Sequence, residues 1–106
     1  MNKKIQNIIN NKNKKKIICL TAYSKNIAEV LDNHVDIILV GDSLGMTIYG
    51  FPNTLSVTLD MMINHGKAVV KSTDRPHIVV DMPFGSYQGN SKEALSNAVR
   101  IMKETG

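Results

Sequence analysis

Two aspartates in this chain occupy the same place in a repeated pattern. The apolar run Asp36-Ile37-Ile38-Leu39-Val40-Gly41 leads directly into Asp42, and His77-Ile78-Val79-Val80 leads into Asp81. Loop chemistry follows each one: Ser43-Leu44-Gly45-Met46 in the first case, Met82-Pro83-Phe84-Gly85-Ser86-Tyr87 in the second. In a parallel sheet, residues at the same end of neighbouring strands lie side by side on chains about 4.8 Å apart. Two bare carboxylates at that range repel, and a hard divalent cation with oxygen ligands relieves the conflict. Aspartate also caps turns, and either residue alone reads that way. The repetition points instead to a site at the C-terminal strand ends, where parallel α/β folds carry function.

Gly41-Asp42-Ser43-Leu44 invites a second reading. It resembles the signature of the GDSL esterases, in which the serine is a nucleophile, and Asp74-Arg75-Pro76-His77 supplies a D-x-x-H pair. Strand direction argues against a triad. Ser43 follows the second strand, whereas Asp74 and His77 precede the third. In a parallel sheet those ends are about 13–17 Å apart at ~3.3 Å per residue, and a base must lie within about 3 Å of its nucleophile. Tyr23, Ser86 and Tyr87 fall in the first and third strand-end loops, where spacing alone marks them as ordinary loop polarity. His65 lies off the apolar stripe of its helix and reads as solvated or locally bonded. The glycines around Asp42 do not make a phosphate-binding loop, since no Gly-Lys-Ser/Thr follows.

The elements that must position these residues read as a leading helix followed by three strand–helix units. Residues 3–14 suit a polar helix. Residues 16–21 form a short β-branched apolar run, expected as a buried strand with the Cys19 thiol inside. Residues 24–33 carry Ile27, Ala28 and Leu31 on one helical face, and 36–41 make the second strand. After a long loop over 42–57, Thr58 is an N-cap for a helix to about Lys71, with Leu59, Met62, Ile63, Gly66 and Val70 on one stripe. Residues 77–80 make the third strand. Asn90 and Glu93 have capping-box spacing for a last helix that buries Ala94, Leu95, Ala98 and Met102 and ends at Gly106. Continuous apolar strands alternating with amphipathic helices predict a parallel sheet covered by helices, with all strand C-termini facing one way.

Bulk composition excludes several classes. The 106 residues allow one domain, and 42% hydrophobic content suits a modest core. One cysteine forms no internal disulfide, and nothing points to secretion. No apolar run approaches the ~20 residues that span a bilayer, and the basic N-terminus lacks the apolar segment of a secretory signal, so a cytoplasmic protein with no membrane partner is expected. The net charge of +4 comes largely from Lys3, Lys4, Lys12, Lys14, Lys15 and Lys16. With Ile5, Ile8 and Ile9 as a helical stripe and no interleaved aromatic residue, this stretch reads as a solvated capping helix and not a nucleic-acid arm.

Taken together, Leu20-Thr21-Ala22-Tyr23, Val40-Gly41-Asp42-Ser43-Leu44-Gly45-Met46 and Asp81-Met82-Pro83-Phe84-Gly85-Ser86-Tyr87-Gln88 resemble the ketopantoate hydroxymethyltransferase family of pantothenate biosynthesis. Thr54 to Thr58, the helix with His65 and Ala68-Val69, and Ala98-Val99-Arg100 fit the same pattern, in order from about residue 16 to 106. The resemblance implies an α/β fold, the N-terminal part of a TIM (β/α)8 barrel. Residues 1–15 are then its leading helix and 16–106 its first three βα units, since a complete barrel takes about 250 residues. It implies transfer of a hydroxymethyl group from the co-substrate 5,10-methylenetetrahydrofolate to 3-methyl-2-oxobutanoate, giving 2-dehydropantoate, with magnesium as Lewis acid stabilising the enolate. Asp42 and Asp81 match the family's magnesium ligands, and Asp42, Ser43 and Asp81 match positions that contact the keto acid. A homo-oligomer, a decamer in the family, is implied for the full-length enzyme.

The chain departs from the family at Ser24, where aspartate is usual, and at Ser56, where proline is common. The family's substrate-binding lysine, third acidic metal ligand and glutamate base match no position up to Gly106, so no catalytic base is assigned and the 106 residues alone are expected to be inactive. Two other readings stay open: a related barrel that grips an α-keto acid through magnesium, such as the phosphoenolpyruvate mutase and isocitrate lyase group, or a non-catalytic remnant that folds with a partner chain.

Overall fold

A computed structural model describes residues 2–106. The elements run α1 (Lys3–Asn10), β1 (Cys19–Thr21), α2 (Lys25–Leu31), β2 (Ile37–Val40), α3 (Leu44–Thr47), α4 (Leu59–Lys71), β3 (His77–Val80) and α5 (Ser91–Thr105). The three strands form one parallel sheet in the order β1-β2-β3. Among the described residues no helix is long and apolar enough to cross a membrane.

The register of the sheet is set at its N-terminal edge by one carboxylate. Asp36, whose side chain is only 10% exposed, accepts the Ile18 N–H on Oδ2 at 2.9 Å and the Arg75 guanidinium on Oδ1 at 3.1 Å. Arg75 also donates to the Val35 carbonyl. Asp32 Oδ1 accepts the backbone N–H groups of Asp74 at 2.9 Å and Arg75 at 3.0 Å. The segments entering β1, β2 and β3 are thus tied to each other before any strand begins. Ile38 then pairs with Leu20 on one side and Ile78 on the other.

Helix α4 lies across one face of this sheet. Thr58 starts it: its side chain accepts the Met61 N–H at 3.1 Å, and Met61 Sδ accepts the Thr58 N–H at 3.3 Å. The helix buries Met62, Ile63, Gly66 and Val69, and of these Met62 and Val69 join the core with Ile38, Val40, Val35, Ala28 and Leu44. A Cβ on Gly66 would lie 3.0 Å from Val80 and 3.1 Å from Thr105, so a residue without a side chain lets α4 sit close to both β3 and α5. Across the outer surface, Arg100 of α5 bonds Asp60 and Glu104, which hold its guanidinium charged above its ordinary range, Asp60 most.

Several expected elements differ. The leading helix stops at Asn10 and not at Lys14, because Asn13 enters the left-handed region at φ 62°, which asparagine tolerates. The strands are not buried on both faces. β2 alternates half-buried and buried residues, and β1 is exposed throughout, Cys19 included. Alternate residues of a strand point to opposite faces; α4 packs closely on β2 and β3 but not on β1, which lies at the sheet edge. Helix α5 buries Ile101; Ala94 and Ala98 are half-buried, while Leu95 (67%) and Met102 (73%) are exposed. Its only close helical neighbour among the described residues is α4, so the rest of its apolar stripe faces outward. Ile27 of α2 is exposed for the same reason. The Asn90 side chain accepts the Glu93 N–H at 2.8 Å, but the reciprocal half of the capping box is not formed.

Replacing Asp36 with alanine removes the acceptor for both flanking segments. Charged hydrogen bonds of this kind contribute about 1.5–3 kcal/mol, so urea unfolding of Asp36→Ala is expected to show a loss of about 2–3 kcal/mol. Unchanged stability would contradict the register tie.

Candidate functional site

Asp42 and Asp81 meet at the C-terminal edge of the sheet. Val40 pairs with Val80 at the end of the register, and the ladder continues one step as the Asp81 N–H donates to the Val40 carbonyl at 3.1 Å. Asp81 is therefore held by the sheet itself. Its carboxylate Oδ2 in turn accepts the Asp42 N–H at 3.0 Å. The two residues are part-buried neighbours, as the parallel arrangement of their strands requires.

Ser43 reaches the same spot by a tight local turn. The chain leaves β2 at Gly41 and curls at once into helical geometry, with Leu44 N–H donating to Gly41 at 3.1 Å and Gly45 N–H to Asp42 at 3.0 Å. The sequence pattern placed only a loop over 42–57; the single turn α3 forms because Leu44 is pulled fully into the core. Gly45 allows it, since a Cβ there would collide with the Val57 side chain. A Cβ on Gly41 would lie 3.2 Å from Ser43 Oγ and 3.4 Å from Asp81 Oδ2. The serine hydroxyl and the Asp81 carboxylate thus converge above Gly41.

Tyr23 joins them from the loop after β1. Its hydroxyl and Ser43 Oγ are 2.8 Å apart. His65 of α4, expected to be solvated or locally bonded, is instead bonded at both ring nitrogens to groups far away in sequence. Nδ1 lies 2.7 Å from the Tyr23 carbonyl oxygen, and Nε2 lies 2.9 Å from the Tyr49 hydroxyl. Tyr23 was visible in the Thr-Ala-Tyr motif, but nothing in the spacing of His65 announced its partners. The other two loop hydroxyls do not join the site. Ser86 is buried and donates to the Pro83 carbonyl at 2.6 Å, closing its own turn, and Tyr87 is exposed. Asp74 and His77 sit at the opposite edge of the sheet from Ser43, where the Asp74 N–H donates to Asp32 and the His77 N–H to the Asp36 carbonyl at 2.9 Å. No serine-hydrolase triad can form across the strands. Ser24 stands at the N-cap of α2 without a side-chain capping bond.

The donor set suits a hard cation. The Asp81 carboxylate and the Ser43 hydroxyl converge above Gly41, and Asp42 stands beside them through its backbone N–H; aspartate and serine oxygens are the kind of donor magnesium accepts. Among the described residues no third His, Cys, Asp or Glu joins Asp42 and Asp81 to complete a three-residue cluster. The arrangement offers part of an oxygen shell beside a serine and a tyrosine that can bond a polar substrate.

Comparison with known sequences shows what the chain is similar to. A sequence model described as ketopantoate hydroxymethyltransferase matches residues 2–106. A protein of Phenylobacterium zucineum named 3-methyl-2-oxobutanoate hydroxymethyltransferase is 60% identical over 90 residues, 85% of this chain and 33% of its own length. Proteins of the same name from Pelagibacter ubique and Rhizobium etli are each 59% identical, over 99% of this chain and 40% of the relative in the first case, 87% and 34% in the second. The chain therefore spans between a third and two fifths of the length of the curated relatives it matches.

The bond from Asp42 N–H to the Asp81 carboxylate makes a direct prediction. Asp81→Ala should speed hydrogen exchange of the Asp42 amide by about tenfold or more, the equivalent of a charged hydrogen bond, while Asp81→Asn retains most of the protection. An Asp42 amide that exchanges equally in wild type and Asp81→Ala would contradict the geometry.

Proposed function

The chain belongs to the ketopantoate hydroxymethyltransferase family, and from that premise we propose that it carries the metal- and keto-acid-binding half of an active site that transfers a hydroxymethyl group from 5,10-methylenetetrahydrofolate to 3-methyl-2-oxobutanoate. The observation that carries the proposal is the meeting of Asp42, Ser43 and Asp81 at one strand edge. In this reading Asp42 and Asp81 hold magnesium through their carboxylate oxygens. When bound, the ion supplies a Lewis acid for the carboxylate and keto oxygens of the substrate.

The remaining chemistry belongs to the chain. Ser43 donates a hydrogen bond to the substrate carboxylate, and its hydroxyl is aimed by Tyr23 at 2.8 Å. The Asp42 N–H holds the Asp81 carboxylate through Oδ2 at 3.0 Å. Gly41 keeps the strand end beneath the site open, because a Cβ there would crowd Ser43 Oγ at 3.2 Å and touch Asp81. The three parallel strands are read as the first part of a TIM barrel. The exposed edge strand β1 and the outward stripe on α5 are surfaces that the rest of a barrel or a homo-oligomer would cover. The residues 1–106 alone are read as inactive, since among the described residues the acidic pair has no third acidic partner.

A fusion tests the proposal. The chain joined to the part of the Pelagibacter ubique relative that follows the matched stretch is expected to make 2-dehydropantoate, and the unfused chain is not. In the fusion, Asp81→Ala should abolish magnesium-dependent deuterium exchange at C3 of the keto acid; exchange at the unmutated rate rules out its metal role. Ser43→Ala should raise KM about tenfold, the loss of one charge-assisted hydrogen bond, and keep measurable turnover. Complete loss with normal metal binding would favour a nucleophilic serine instead.

A further inference from the structure

His65 closes a ring of contacts that ends on Ser43. Its Nδ1 faces the Tyr23 carbonyl at 2.7 Å, and a carbonyl oxygen only accepts, so Nδ1 carries the hydrogen. In the neutral ring Nε2 is then the acceptor, and it takes the Tyr49 hydroxyl hydrogen at 2.9 Å. Tyr49 closes the turn that begins at Ser43, its N–H donating to the Leu44 carbonyl at 3.2 Å, and its ring meets the imidazole edge-on. Tyr23, from the other side, puts its hydroxyl 2.8 Å from Ser43 Oγ. The two ring nitrogens therefore grip the two loops that meet at the Tyr23–Ser43 bond. Those loops follow different strands, and α4, a long helix anchored in the core by Met62 and Val69, holds the histidine between them.

We propose that His65 is a positioning residue: acting through the Tyr23 carbonyl, it sets the Tyr23 hydroxyl that aims Ser43 at the substrate carboxylate. The inference rests on the reading of Ser43 as a keto-acid contact, but the contact chain exists without ligand. A histidine that merely stapled a helix to a loop would affect stability without controlling the serine. The side chains that resemble each half of the imidazole separate the two bonds. Asparagine at 65 places an amide donor where Nδ1 stands, and glutamine places one nearer Nε2.

The test uses the chain itself, labelled with carbon-13 and nitrogen-15, and follows Ser43 Cβ by NMR in the absence of ligand. Tyr23→Phe should displace this resonance. His65→Ala should displace it in the same direction, and His65→Ala added to Tyr23→Phe should displace it no further. His65→Asn should restore the wild-type position and His65→Gln should not; this pair carries the comparison if the alanine variant does not fold. A Ser43 resonance unmoved by His65→Ala and His65→Gln, or shifts that simply add in the double variant, overturn the proposal. Titration with 3-methyl-2-oxobutanoate and magnesium then reads the consequence. His65→Ala should weaken the keto-acid response of Ser43 about three- to tenfold, the cost of one misplaced hydrogen bond, and His65→Asn should recover it. No response in the wild-type chain counts against the keto-acid reading and leaves the His65–Tyr23–Ser43 coupling to the ligand-free result.

Discussion

One carboxylate at the lower edge of the sheet governs what happens at the upper edge. Asp36 accepts a backbone N–H from the approach to β1 and a guanidinium from the approach to β3 while standing at the entrance to β2. Each of its oxygens bonds one flanking segment, so all three strands start in step. A parallel sheet propagates that alignment: a slip of one residue would turn every side chain to the other face. Four residue pairs later, Val40 stands opposite Val80; Asp81 follows Val80 directly, and Asp42 follows Val40 after Gly41. The adjacency of the acidic pair follows from a register set about 13 Å away at ~3.3 Å per residue.

At the upper edge, local chain geometry decides what the aspartates can do. The turn that begins at Gly41 sends Leu44 into the core and brings Ser43 back over the strand end. Glycine at position 41 eases that return, since a Cβ there would crowd Ser43 Oγ at 3.2 Å. Hydrogen bonds from groups already anchored elsewhere then limit motion at the site: Tyr23 bonds the serine, and the Asp42 backbone bonds Asp81. Such supporting bonds hold ligating and substrate-binding groups near a productive geometry before anything binds. In the proposed reading, the chain supplies a preformed part of a metal shell, with little reorganisation left to do on binding.

Much of this was legible in the sequence because it is local or periodic. The strand–helix alternation, the Thr58 cap of α4 and the position of Asp42 and Asp81 at strand ends all follow from runs of a few residues. What was not legible depends on neighbours. An apolar run such as Ile17-Ile18-Cys19-Leu20 is the same whether a helix covers it or not, and here it lies exposed at the sheet edge. Helix α5 carries an apolar face wider than its one close helical neighbour covers, so Leu95 and Met102 look outward where burial was expected. The turn α3 was hidden because its helical geometry comes from Leu44 docking in the core and not from propensity over four residues. His65 was hidden for a related reason: its partners Tyr23 and Tyr49 lie on two other loops, and only the packing of α4 against the sheet brings them together.

The central claim is that the paired strand-end aspartates form the divalent-cation site. Manganese, which takes oxygen ligands of the kind magnesium takes, broadens NMR signals of nuclei close to it. In a titration of the chain with manganese, the amide signals of Asp42, Ser43, Asp81 and Met82 should vanish first, and excess magnesium should restore them. Early broadening at other acidic positions, such as Asp32 and Asp74 at the opposite edge or Asp60 and Glu104 on the outer helices, with the Asp42 and Asp81 signals intact, would contradict it.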